Sequence, residues 1–132
     1  MYRLRKEQID SLGRDLEERF AADAIEHLCR YFEPQCGDLD ELRAVVHRTI
    51  ERGHRYGLRS DRALLRLLNV TMVLGEDFDE VEQFRWAAEY LLDSAVPDAE
   101  ERVALLSSEV LRRLRLREHN DKLRQEFYRG VG

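Results

Sequence analysis

Apolar side chains at Ile9, Leu12, Leu16, Phe20, Ala24, Leu28 and Phe32 recur every three or four residues, the step that gathers side chains on one stripe of an α-helix. The stripe predicts a first helix from about Leu4 to Phe32, roughly 40 Å long at ~1.5 Å per residue and able to span a domain. Pro34 ends it. Gly37 and Asp38 then offer a turn and an N-cap for a second series, Leu39, Leu42, Val45, Val46 and Ile50, which closes near Tyr56-Gly57. Gly57 suits a left-handed C-cap, and Ser60 is placed to cap a third helix. From Leu64 to Leu74 that helix is apolar on nearly every side, so neighbours are expected around it and it should lie at the centre.

Gly75 interrupts the third helix, and Glu76-Asp77-Phe78-Asp79-Glu80 makes an acidic turn with one aromatic. A short fourth helix follows, from about Val81 or Gln83 to Leu92, with Phe84, Ala87, Ala88 and Leu91 facing inward. Pro97-Asp98 opens a fifth, since proline tolerates a helix entry and an aspartate favours the positive end of the helix dipole. Val103, Leu106, Val110 and Leu114 continue it in register, and the polar interval 117–121 comes next. Asn120 can cap a separate last helix, yet Leu116, Leu123 and Phe127 also share one face of an unbroken one, so a kinked pair and a long arm both remain open. Strand patterning is weak throughout. The pattern as a whole predicts an all-α, single-domain bundle of five to six helices, with a long N-terminal helix and an extended, kinked or continuous C-terminal one. Residues 1–116 form the expected bundle and 117–132 a helical extension.

Composition narrows the class. At 132 residues, 43% hydrophobic and 37% charged, the chain suits one core. No run approaches the ~20 apolar residues of a membrane span, and the first residues carry no apolar signal segment. The expectation is therefore a cytoplasmic protein with no membrane role. Cys29 and Cys36 in such a chain suit a reducing compartment and structural thiols. The net charge of −5 is unevenly spread: residues 1–74 sum to 0, 75–101 to −9 and 102–132 to +4. Two solvated faces, internal pairing or a polarised docking surface all produce such a profile.

Spacings that force reactive groups together are missing. His27, Cys29 and Cys36 form no metal clamp, and His47 with His54 on one face of the second helix would need two further ligands. Asp77 and Asp79 lack the continuation of a calcium loop, and no phosphate-cradling glycine loop or nucleophile elbow occurs. We therefore expect no catalytic residues, no metal and no cofactor. Arg112, Arg113, Arg115, Arg117, Lys122, Arg124 and Arg129 invite a nucleic-acid reading, against which the acidic total weighs. A binding protein needs instead exposed aromatic and apolar anchors. The candidates are Asp77, Phe78 and Asp79 in the acidic turn, Trp86 and Tyr90 four residues apart on the fourth helix, and Leu116, Leu123, Phe127 and Tyr128 on the last. For Phe78 and Trp86 the expected role is first that of wedges that seat the turn on the core, with anchoring as the alternative.

The opening Leu4-x-x-Glu7-Gln8, the aromatic-proline hinge Tyr31-Phe32-Glu33-Pro34, the sequence Gly53-x-x-Tyr56-Gly57-Leu58, the turn Leu74-Gly75-Glu76-Asp77-Phe78-Asp79 and then Trp86-Ala87 together resemble a family of small helical proteins encoded beside type VI secretion adaptor and effector genes. The resemblance covers about residues 4–114. Its co-adaptor, or co-TecT-like, type implies a non-enzymatic partner of an adaptor chaperone, with an effector or spike protein as a further contact, acting while the effector is loaded. Arg85 stands before Trp86 where that family more usually has proline, and the stretch after Leu116 is an extension beyond it. An immunity protein that plugs a toxin with the acidic turn is the main rival reading. A protein that self-associates through the stripe Leu116, Leu123 and Phe127 is another.

Overall fold

The computed structural model describes the backbone of residues 6–31 and 38–131, and the side chains of 16–30 and 38–126. Among these residues it contains five α-helices, α1 (Lys6–Tyr31), α2 (Leu39–Arg55), α3 (Asp61–Leu74), α4 (Arg85–Leu91) and α5 (Ala99–Val131), with a 3-10 turn at Glu82–Phe84 leading into α4. No strand occurs among them.

The ends of the helices are set by local chemistry. Asp38 accepts from the Glu41 N–H at 3.1 Å and Ser60 from the Ala63 N–H at 3.1 Å, so both caps satisfy amides that the helix itself leaves unpaired. After α2, Gly57 takes φ +87. The Leu58 N–H then reaches the Gly53 carbonyl at 2.8 Å and the Gly57 N–H the His54 carbonyl at 3.1 Å, the paired reverse bonds of a Schellman ending. Leu58, buried at 0% exposure, is the apolar lock of that motif. Before α5, Asp98 accepts from the Glu100 N–H at 3.0 Å, and Glu100 in turn accepts from the Ser60 N–H at 3.0 Å, tying the starts of α3 and α5 together.

α3 packs against α1, α2 and α5, and α4 packs on α5. The core runs through Leu28 of α1, Val46 and Ile50 of α2, Leu67, Leu68 and Val70 of α3, Ala87 of α4 and Val103 and Leu106 of α5. Each large aliphatic among these contributes about 1.5–3 kcal/mol by leaving water. Thr49 and Thr71 are buried too, and their hydroxyls donate back to the Val45 and Leu67 carbonyls at 2.7 and 2.8 Å, so neither is an orphan polar group. A Cβ at Gly53 would overlap Leu64 Cδ2, which is why α2 and α3 approach closely there.

Two features differ from the sequence reading, and one alternative left open there is resolved. Leu16, on the expected core stripe of α1, is 57% exposed. At ~1.5 Å per residue α1 is about 39 Å long against about 21 Å for α3, so the stripe outruns the neighbour that would cover it. The last helix is continuous: α5 passes through 117–121 without a break. Its interior packing stops near Leu114, and residues 115–126 are all exposed. Cys29 is disulfide-bonded, where thiols were expected; the chain has one other cysteine, Cys36, which lies outside the described residues.

Candidate functional site

The acidic turn is held from α2. Arg48, Arg52 and Tyr56 stand four residues apart, on one side of that helix. The Arg48 guanidinium grips the Glu76 carboxylate through Nε and, at 3.1 Å, through Nη2, which also reaches Glu41 at 3.2 Å. Arg52 donates to the Glu76 carbonyl and lies 3.5 Å from Asp79 Oδ1, while the Tyr56 hydroxyl donates to Asp79 Oδ2 at 2.8 Å. Burial, and next the bond to Asp79, push the Tyr56 phenol up to about 12. The hydrogen bond that Arg48 donates to Glu76 raises its pKa further above its already high range.

This arrangement turns two of the three candidate residues of the turn inward. Phe78 is at 0% exposure, the largest fully buried side chain among the described residues, and fills the wedge role. Asp79 is turned inward onto Arg52 and Tyr56, its side chain 13% exposed. Asp77 alone of the three faces solvent. Of the acidic residues concentrated in 75–101, Glu76 and Asp79 are thus paired internally with α2. The four-residue spacing of Arg48, Arg52 and Tyr56 is the signal in the sequence that marks α2 as the turn's counterpart.

A second region forms where α5 leaves the bundle. Val73, Val110 and Leu114 floor two adjoining hollows. One, of about 310 Å3, lies between α1, α3 and α5 and adds His27, Asn69 and Leu111 to its walls. The other, of about 380 Å3, lies between α3, α4 and α5, with Leu74, Phe84 and Trp86 on one side and Arg113 and Arg117 on the rim. Trp86 is half-buried, and the Arg113 guanidinium sits 3.7 Å from its ring centroid, a cation–π stack. Arg113 Nε also donates to Glu109 Oε1 at 3.0 Å, and Arg112 Nε to Glu109 Oε2 at 3.0 Å. Those bonds, first from Arg112 and then from Arg113, hold the Glu109 carboxyl down at about 2. Both arginines are thereby fixed before anything binds. Asn69 Oδ1 is buried in the first hollow without a hydrogen-bond partner among the described atoms.

The remaining candidates are scattered. Tyr90 is half-buried and packs on the core beside α5 rather than lining either hollow. Leu116 and Leu123 sit on the projecting arm at 47% and 49% exposure. Phe127 and Tyr128 belong to α5, and their side chains lie outside the described residues. Trp86 and the base of the arm are brought together, whereas the acidic turn is a separate feature. Val73, Val110 and Leu114 were read only as core, because nothing in a periodic apolar series marks where cover ends.

Among the described residues, no three His, Cys, Asp or Glu side chains come together to hold a metal ion, and no helix is long and apolar enough to cross a membrane. What the hollows offer is apolar area beside a fixed cationic rim, which suits an amphipathic helix laid in a groove. The class that fold and site define is an all-helical bundle with an apolar cleft at the root of a projecting helix. No protein-family model, curated protein or solved structure matches the chain.

Proposed function

We propose that this protein is a non-enzymatic binding accessory whose working face is the apolar cleft around Val73, Val110 and Leu114. Its occupant is an amphipathic helix of an adaptor chaperone, with carboxylates flanking its apolar ridge to meet Arg113 and Arg117. One observation carries this reading: an apolar floor left open beside a tryptophan whose stacking arginine is already locked by Glu109. Preorganisation of that kind lowers the ordering cost of association.

The resemblance to co-adaptors of type VI secretion gives the occupant its identity within this proposal: an adaptor that loads an effector onto the spike. The immunity reading put its anchor on the acidic turn and loses support with Phe78 in the core and Asp79 paired. Loading would take place in the cytoplasm, and the Cys29 disulfide counts against that compartment because persistent disulfides belong to oxidising ones. Non-reducing mass spectrometry of protein taken directly from cells decides the point.

The test of function is co-expression with the adaptor encoded nearest to it, followed by affinity purification of either chain. A stoichiometric complex is expected. Trp86→Ala, a change of the hot-spot type, should weaken it by at least about 30-fold, or ~2 kcal/mol, with helicity unchanged. Failure to form any complex, or full affinity in the Trp86→Ala and Val73→Glu variants, would overturn the reading.

A further inference from the structure

The side of α5 that faces away from both the bundle and the cleft carries its own apolar stripe. Leu105, Leu116 and Leu123 are 43%, 47% and 49% exposed and follow one another at steps of eleven and seven residues, each of which returns a helix to within ~20° of the same side. Val103, Leu106 and Val110, which seat α5 on the bundle, are buried on the opposite side. The helix is also polarised along its length. Residues 99–111 hold three acidic side chains and one basic, whereas 112–131 hold three acidic and seven basic, for net charges of −2 and +4. Against a second copy lying parallel, like ends would meet. In an antiparallel copy, each basic half meets an acidic half and the helix dipoles oppose.

We propose that two copies of this chain associate through the outer face of α5, antiparallel and about a two-fold axis. Such an axis makes each flank of the stripe meet the same flank of the other copy, and charge then selects the register. Setting Leu116 against Leu123 would place Arg117 beside Arg124 and Arg115 beside Lys122, two like pairs repeated twice. Sliding to Leu105 against Leu116 removes both. In that register Glu109 of one copy faces Arg112 of the other at the centre, and Lys122 comes beside Glu101 on one flank. The like pair it creates, Arg102 with Arg117, is relieved because the Arg102 guanidinium is drawn aside to the Val96 carbonyl at 3.2 Å. Beyond the overlap, Leu123 and the basic Arg124 reach the segment before the other α5, where Asp93 and Asp98 stand in the sequence.

The overlap runs over residues 99–122, about 36 Å of helix, and a strip ~11 Å wide covers roughly 400 Å2 per copy. That is about half of what a standard stable interface buries per partner, so the dimer is concentration-dependent. Leu105, Leu116 and Leu123 line neither hollow, although Arg117 also rims the cleft and Glu109 also holds Arg113 there.

Sedimentation equilibrium of the full chain from about 5 to about 500 μM tests it. The mass should rise from 15.7 kDa towards twice that value. Leu105→Glu and Leu116→Glu, at exposed positions, should remain monomeric with unchanged helicity. Lys122→Glu should weaken association about tenfold, the loss of ~1.4 kcal/mol, and adding Glu101→Lys should recover most of it. A monomer at every concentration overturns the proposal, as does a dimer that survives Leu116→Glu. A double charge swap that recovers nothing overturns the antiparallel register.

Discussion

Replacing Phe78 with alanine asks what a single aromatic does in a turn of five otherwise charged or polar positions. The ring is at 0% exposure and packs within the core, so its removal combines lost burial with a cavity that the surrounding helices fill only in part. Truncations of this kind cost about 3–5 kcal/mol, against a total stability of order 5–15 kcal/mol for a domain. At this chain length, ~3–4 °C of melting temperature follows each kcal/mol, giving a drop of roughly 10–20 °C. Phe78→Leu keeps much of the volume and should cost less than about 1.5 kcal/mol. Urea unfolding followed by circular dichroism at 222 nm measures both. The reasoning carries a second consequence, because Phe78 seats the turn that brings Asp79 to Tyr56. In the alanine variant the Tyr56 phenol should therefore titrate closer to its ordinary value of 10. A loss below about 1 kcal/mol with an unchanged urea slope would refute the wedge and return Phe78 to the surface.

Tyr56 offers a direct pH test: its folded pKa, about 12, lies above the ordinary 10.0. The stabilisation it provides is complete below pH 10 and is lost as pH rises through 12. Alkaline absorbance titration should show one tyrosine ionising last, and Tyr56→Phe should abolish that step. Gly75 adopts φ +106 and ψ 155, a region essentially confined to glycine, so Gly75→Ala should cost about 1–3 kcal/mol in urea unfolding; a neutral result would mean the turn relaxes freely. Ser60→Ala removes the acceptor for the Ala63 amide and should cost about 1 kcal/mol, whereas Ser60→Asp should retain the cap.

Local signals were legible wherever a residue acts on its own neighbourhood. Asp38, Ser60 and Gly57 were read as caps from chain order alone and perform those roles within three to five residues. The all-round apolar character of Leu64 to Leu74 likewise located α3 between α1, α2 and α5. Readings failed where the deciding partner is distant in sequence. Phe78 stands among carboxylates and so keeps a docking role open beside that of a wedge, because the arginines that pair with the turn are Arg48 and Arg52, 24 to 28 residues earlier than Glu76. Asn120 left a break and a continuous helix both open; the flanking residues are helix formers that no glycine or proline interrupts, and the helix runs on. The cleft was invisible for a related reason. Val73 and Leu114 continue series whose other members, Val110 among them, are buried, and the short reach of α4 and the departure of α5 leave these two half-covered. Trp86 was found, but its partner Arg113 was not, since they lie 27 residues apart.

Hydrogen–deuterium exchange on the complex with the cognate adaptor, compared with the free chain, tests the cleft as the working face most directly. Protection is predicted at the end of α3 around Val73, in the 3-10 turn and α4, and along α5 near Val110 to Arg117, with the acidic turn and α2 unchanged. Protection confined to Asp77, α2 or the end of α1, with that cleft exchanging as in the free protein, would contradict it.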